Sequence, residues 1–324
     1  MPQTVLRFAS ALALASALLT GPAAPAAASE EPPRFSVAGP GPGSPLVFVV
    51  YGDTRFTTRE KVANAVARRA LVDRIAQEHP AAVLIGGDLV YEGSDSEDYE
   101  TYRTETAAWV REGIPVFPAL GNHEFKGCAD PAPCLENWWK ALSPGPLQPY
   151  RWYSVSLGPS ILALLLDSDS PLKSGSAQRT WFEKQLRSVD GSVRFILIVL
   201  HYPPVRDPLI PHARQEAEVA RYLSRNAAKL RQRVVVVGSH VHNYERYFRD
   251  GVTYLVSGGG GAKPVPSLRI FGEQSRLRTS VNFHYLRFVL EGERLSATMV
   301  RFDASASDED PWSEPDHFEV KARN

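Results

Sequence analysis

Short runs of branched and aromatic apolar residues, each closed by glycine or a polar residue, set the rhythm of this chain. Pro45–Tyr51 (PLVFVVY), Ala81–Ile85 (AAVLI) and Ile114–Leu120 lie in the first half, and Val193–Leu200 (VRFILIVL) and Val234–Val237 in the second. Runs of this length, apolar on both faces, predict buried strands. Between the first three the spacing turns helical. Thr57 or Thr58 is placed to cap a helix with Val62, Val66, Leu71 and Ile75 on its inner face, ending before Pro80. A polar, acidic helix is expected over Asp95–Glu112. Strands alternating with helices across short connections imply parallel strands joined by right-handed crossovers.

The second half carries more strands and fewer helices. Tyr150–Leu157 and Ser160–Leu166 read as strands joined at Gly158-Pro159, and Val252–Val256 as another. His284–Leu290 and Arg294–Phe302 read as a hairpin around Glu291-Gly292-Glu293. Helices are expected over Gln178–Ser188 and Gln215–Arg231. Gly127–Pro149 reads as an irregular excursion, Asp167–Ser176 as a loop and Asp303–Asn324 as a surface tail. Two sheets packed face to face with helices outside fit this count.

Composition narrows the class. The chain has 324 residues, 44% hydrophobic and 22% charged, as a soluble globular enzyme would. Its formal net charge is +0, so bulk charge points to no nucleic-acid or anionic-membrane partner. Residues 1–28 are set apart. A short basic Met1–Arg7, an apolar Phe8–Leu19 and a run of small residues at Ala26–Ala28 form the pattern of a secretory signal. The expected mature chain starts near Ser29 and is periplasmic or secreted, with no stable membrane anchor. Residues 29–44, rich in Pro and Gly, read as a linker, 45–303 as the catalytic domain and 304–324 as the tail. The cysteines, Cys128 and Cys134, are either a disulfide, which export favours, or two unpaired thiols.

Candidate chemistry sits where the strands end. Five of them deliver Asp53, Asp88 with Tyr91, Asn122 with His123, His201, and the pair His240 and His242. In open α/β sheets the carboxyl ends of parallel strands carry the site, so these residues meet on one rim. His240 and His242 sit at i and i+2, which on an extended strand face one side and together could grip a metal. Each residue alone also reads as a turn or a cap, with Glu245–Arg246 as a surface pair. Five metal-ligand types at five strand ends favour the metal reading.

The ordered set GD at Gly52-Asp53, GDLVY at Gly87–Tyr91, GNHE at Gly121–Glu124, His201, and His-x-His-x-Tyr-Glu-Arg at His240–Arg246 resembles the calcineurin-like metallophosphoesterases, most of all the purple acid phosphatases. The resemblance runs from about Val47 to Gly261. It implies an α/β protein, a four-layer α/β/β/α sandwich of two mixed sheets. It also implies two metal ions bridged by Asp88. One would be held by Asp53, Asp88, Tyr91 and His242, the other by Asp88, Asn122, His201 and His240. Oxygen and nitrogen donors without thiolate suit Fe, Zn or Mn. Two features depart from the pattern. Arg55 stands where many members have a ligating His, and Tyr91, a hard phenolate donor, could replace it and favour Fe(III). Ser239 stands where the family usually has Gly, a small change expected to do little.

These readings combine into an exported phosphomonoesterase using two metals, which lower the pKa of a bound water and clamp phosphate oxygens. A phosphodiesterase or nucleotidase on the same fold is the alternative, and a secreted binding protein with a degenerate metal site the second. His123 is the candidate general acid. Arg55 is the expected phosphate contact and His212 a second substrate contact. The partner is a small phosphorylated substrate. His79, His284 and His317 read as structural, Asp167 and Asp169 as turn residues, and Ser257–Gly261 as backbone passing close to the site.

Overall fold

The computed structural model describes residues 31–41, 43–142, 147–207, 216–265, 283–306 and 310–323. Its strands, numbered in chain order, form two sheets. The six-stranded sheet runs β13 (Trp312–Lys321), β12 (Arg294–Phe302), β11 (Phe283–Glu291), β2 (Leu46–Tyr51), β3 (Val83–Ile85), β4 (Val116–Pro118). The seven-stranded sheet runs β1 (Arg34–Val37), β5 (Tyr153–Leu157), β6 (Ile161–Leu165), β7 (Phe195–Val199), β8 (Arg233–Gly238), β10 (Val252–Ser257), β9 (Tyr244–Arg249). Both are mixed: β2, β3 and β4 are parallel while β11 is antiparallel to β2, and β6, β7, β8 and β10 are parallel while β9 is antiparallel to β10.

Strand periodicity builds the layers. Ile161, Ala163 and Leu165 of β6 point into the core shared by the two sheets, and Leu162 and Leu164 point the other way. That outer face is covered by α5 (Ala177–Arg187) through Trp181, Phe182 and Leu186, and by α6 (Ala217–Asn226) through Val219 and Leu223. The shared core also takes in α1 (Ala65–Gln77), α2 (Ser96–Glu105) and α3 (Ala107–Arg111) through Leu71, Ile75, Tyr102 and Trp109. The α/β/β/α sandwich expected from the resemblance is the fold observed.

Several local expectations are corrected. The first helix starts at Ala65, because Asn64 rather than Thr57 or Thr58 caps it, its side chain accepting from Ala67 N–H at 2.9 Å. Val66 is therefore 62% exposed, and Ala67 and Val72 join Leu71 and Ile75 inside. The acidic helix breaks at Thr106, whose hydroxyl donates to the Tyr102 carbonyl at 2.7 Å. The excursion contains α4 (Pro131–Ala141), capped by Asp130 with Pro at its start. The 29–44 linker holds β1, paired in parallel with β5. The tail is no tail, since β13 pairs with β12 along almost its whole length. Its Pro315 sits at an edge strand where the register shifts between Met299 and Arg301, a place that tolerates a missing N–H. Cys128 and Cys134 are disulfide-bonded.

Candidate metal centre

The five strand ends converge. The loops that follow β2 and β3 are laced together by Asp53 N–H to the Gly87 carbonyl (3.0 Å) and Arg55 N–H to the Asp88 carbonyl (2.9 Å). Asp53, Asp88 and His240 all take left-handed backbone angles, with φ of 55°, 52° and 66°. A side chain there costs about 1–2 kcal/mol, which the surrounding bonds must hold in place. Asp53 Oδ2 accepts from His240 N–H at 2.7 Å and Asp88 Oδ1 from His123 N–H at 3.0 Å, joining the ends of β2 and β8 and the loops after β3 and β4. Among the described residues, Asp53, Asp88 and His201, all buried, bring possible ligand atoms within 4.8 Å of one another.

The histidines show what this cluster is built to hold. His201 Nδ1 faces the Gly86 carbonyl at 3.0 Å and His242 Nδ1 the Lys263 carbonyl at 2.8 Å. A carbonyl only accepts, so each Nδ1 carries a proton and each ring turns its Nε2 inward, where an unprotonated nitrogen offers a lone pair. His201 Nε2 then meets Asp88 Oδ1 at 3.3 Å, Asn122 Oδ1 at 3.1 Å and His240 Nδ1 at 3.2 Å. His242 Nε2 meets Asp53 Oδ1 at 3.5 Å, a buried oxygen with no hydrogen-bond partner among the described residues. Acceptors facing acceptors in a buried pocket are satisfied by cations. The donors are carboxylate, amide and imidazole, so the residues present fit hard or borderline metal ions.

Charge is arranged to match. Burial alone would push the Asp88 carboxyl up, but His201, His123, Arg55 and the His123 N–H together hold it well below the usual carboxylate range. Burial pulls His242 down, yet the nearby Asp53 carboxylate outweighs it and leaves it raised.

The other expected residues fall as follows. Arg55 Nη2 pairs with Asp88 Oδ2 at 3.2 Å, while its buried Nε has no partner among the described residues. His123 Nδ1 faces the Tyr91 carbonyl at 2.5 Å, leaving Nε2 3.8 Å from Asp88 Oδ2. The Tyr91 ring packs beside His123 at 5.2 Å, with Lys126 Nζ 3.3 Å and the Arg59 guanidinium 5.3 Å from its centroid. His212 lies outside the described residues. Ser239 fits because Gly52 and Gly86 face it; a Cβ on either would come within 2.1 or 2.2 Å of its Oγ. The glycine run does pass close: a Cβ on Gly258 would sit 2.6 Å from Asp53 Oδ2.

The sequence assigned no role to Glu124 or Tyr202, and Asp169 read as a turn residue. Glu124 is buried and accepts from the backbone N–H groups of Gly121 (2.6 Å), Leu89 (2.7 Å), Asp88 (3.0 Å) and Val90 (3.4 Å), bracing the GNHE loop against the GDLV loop. A carboxylate one residue after a run of ligand types was a usable signal. Tyr202 packs its ring on His201 (5.1 Å) and His240 (4.5 Å), and its hydroxyl donates to Asp169 at 3.4 Å. Asp167 is more than a turn residue, being buried and paired with Arg151 at 2.6 Å. The Glu245–Arg246 surface pair is also corrected. Glu245 is buried and accepts from Tyr247 and from Asp207 N–H, and Arg246 grips Asp316 of β13 at 2.7 and 3.1 Å.

Fold and candidate metal site together fit a phosphoesterase class of protein. The sequence model of the calcineurin-like phosphoesterases matches residues 46–244, and the chain belongs to that family. It is 26% identical over 267 residues to purple acid phosphatase 21 of Arabidopsis thaliana, covering 75% of this chain and 56% of that protein. Purple acid phosphatase 15 of the same plant is 25% identical over 228 residues, with 59% of this chain and 42% of that one covered. The chain thus spans about half the length of the curated relatives it matches. In fold it is similar to the purple acid phosphatase PPD1 of yellow lupin, with a TM-score of 0.68 at 18% identity over 88% of this chain and 55% of that one.

Proposed function

We propose that this chain is an exported phosphomonoesterase of the purple acid phosphatase type, working with two metal ions. The observation that carries the reading is the set of inward Nε2 atoms of His201 and His242 against the buried carboxylates of Asp53 and Asp88. Asp53, Asp88, Tyr91 and His242 would hold one ion, preferably Fe(III), and Asp88, Asn122, His201 and His240 the other, Fe, Zn or Mn. Bound there, the ions supply an activated water and a clamp for phosphate oxygens. Export is supported by the amino-terminal pattern and the Cys128–Cys134 disulfide.

The chain's own residues do the rest. Arg55 stands beside Asp88, where its guanidinium could take a phosphate oxygen. His123 has its Nδ1–H committed to the Tyr91 carbonyl, so Nε2 is the atom that can carry a proton to the leaving oxygen. The test is hydrolysis of 4-nitrophenyl phosphate and bis(4-nitrophenyl) phosphate by protein reconstituted with Fe, Zn or Mn. Faster turnover of the monoester supports the reading. Faster turnover of the diester makes the protein a phosphodiesterase, and turnover of neither removes the enzyme.

A further inference from the structure

Tyr202 follows His201 just past the end of β7. Its backbone is held from several directions. Its N–H donates to Ser168 Oγ at 3.1 Å, and the carbonyl before it, that of His201, accepts from Ser239 N–H at 2.8 Å. The chain continues into Pro203, packed so closely on the end of β8 that a Cβ on Gly238 would come within 2.5 Å of it. Proline fixes its own φ, so the turn has little freedom and the Tyr202 side chain leaves a rigid platform.

What that side chain touches is specific. Its ring lies 5.1 Å from that of His201, at 61°, and 4.5 Å from that of His240, at 72°, the edge contacts that aromatic rings prefer. The two histidine rings are 5.0 Å apart at 75°, so the three rings close a triangle. The tyrosine hydroxyl is engaged by Asp169 at 3.4 Å, which leaves the ring as the part that acts on the histidines. His201 and His240 are the two imidazoles assigned above to one ion. His242, assigned to the other, is fixed from elsewhere, by the Lys263 carbonyl. Ligand rings free to rotate bind a cation more weakly, because binding must then fix them. We propose that Tyr202 is a positioning residue for one of the two metal positions. Its ring holds His201 and His240 at the angle where both reach one ion, and it leaves the His242 position unaffected. The inference rests on the metal pair proposed above and extends it to a residue outside the ligand set.

Nuclear magnetic resonance of the imidazole nitrogens reads the two positions separately, because coordination moves the signal of the bound nitrogen. Metal-free protein is titrated with zinc, its free concentration set by chelator buffers. In Tyr202→Ala the zinc needed for half-change should rise about tenfold or more at His201 and His240 and stay within about twofold at His242. Tyr202→Phe keeps the ring and should match the wild type within about twofold at all three histidines. Tyr202→Leu fills part of the space without a ring and should fall between the two, which keeps the test decisive if the alanine variant does not fold. An equal rise at all three histidines marks a merely structural role and overturns the proposal. So does no rise at any of them, or a phenylalanine variant as weak as the alanine one. Zinc that leaves all three wild-type rings unchanged removes the metal pair and the proposal with it. Turnover of 4-nitrophenyl phosphate reports on the enzyme instead. The expected zinc pattern without turnover keeps the positioning role and removes the phosphatase; turnover with an equal rise at all three histidines does the reverse.

Discussion

Glu124→Gln is the substitution that best probes how the centre is held. The glutamate Oε1 accepts from Leu89 and Val90 N–H and Oε2 from Gly121 and Asp88 N–H. Glutamine keeps the shape but has one accepting oxygen, so two N–H groups face an NH₂. Two bonds to a charged acceptor at about 1.5–3 kcal/mol each give a gross loss of about 3–6 kcal/mol. Some of that is offset. Burial and the nearby Asp88 carboxylate push the Glu124 carboxyl up, so the charge itself is costly and glutamine removes it. The net expectation is a loss of about 2–4 kcal/mol in urea unfolding of the metal-free protein at pH 7. Because Asp88 N–H is one of the four donors, metal affinity should also fall, by about 10–100-fold, as when other supporting residues of metal sites are changed. A loss under about 0.5 kcal/mol with metal affinity within twofold of the wild type would refute the bracing role.

Three further predictions follow from the same site. His123→Ala should keep both metals and lose rate by about 100-fold on poor leaving groups, less on good ones; equal losses across a leaving-group series would remove the acid role. Tyr91→Phe should abolish a visible tyrosinate-to-Fe(III) band of the purified protein. Its retention would assign Tyr91 to the packing its contacts with Lys126 and His123 already show. Asp169→Asn should raise the Tm of the metal-free protein at neutral pH. Lost hydration of the carboxyl, more than the neighbouring Asp167 carboxylate, pushes it from 3.8 up to about 6, and because Asp169 as a residue is exposed, water screens part of the effect and the gain is small. A raised carboxyl binds its proton more tightly folded than unfolded, so wild-type stability falls as pH rises through that window. The gain should therefore grow from 3.8 to about 6 and be absent below; a gain equal at all pH values would contradict the cause.

The sequence made the strand ends legible because each closes a continuous apolar run, at glycine in every case but His201, and then presents a ligand type. Asp53, Asp88, Asn122, His201, His240 and His242 were all found this way, and the structure brings them to one rim. What escaped was of two kinds. β1 and β13 are edge strands, half-exposed and interrupted by polar residues or proline, so neither shows a buried-strand run. Glu124, Tyr202 and Asp169 act on residues distant in sequence or on backbone groups, and spacing along the chain carries no record of such contacts. The first helix began late for a similar reason. Thr57 had the right chemistry for a cap, but its carbonyl accepts from buried Arg68, which also pairs with Glu105.

The account turns on a metal pair in this cluster, and metal content per chain measures it most directly. Protein purified without added metal, then reconstituted with Fe and Zn and freed of excess, is predicted to hold two ions per chain by elemental analysis. Asp88→Asn, which weakens the carboxylate shared by both positions, should lose most of both while keeping its fold by circular dichroism. Wild-type protein that retains no metal under these conditions, or an Asp88→Asn variant that retains as much as the wild type, would contradict the centre described here.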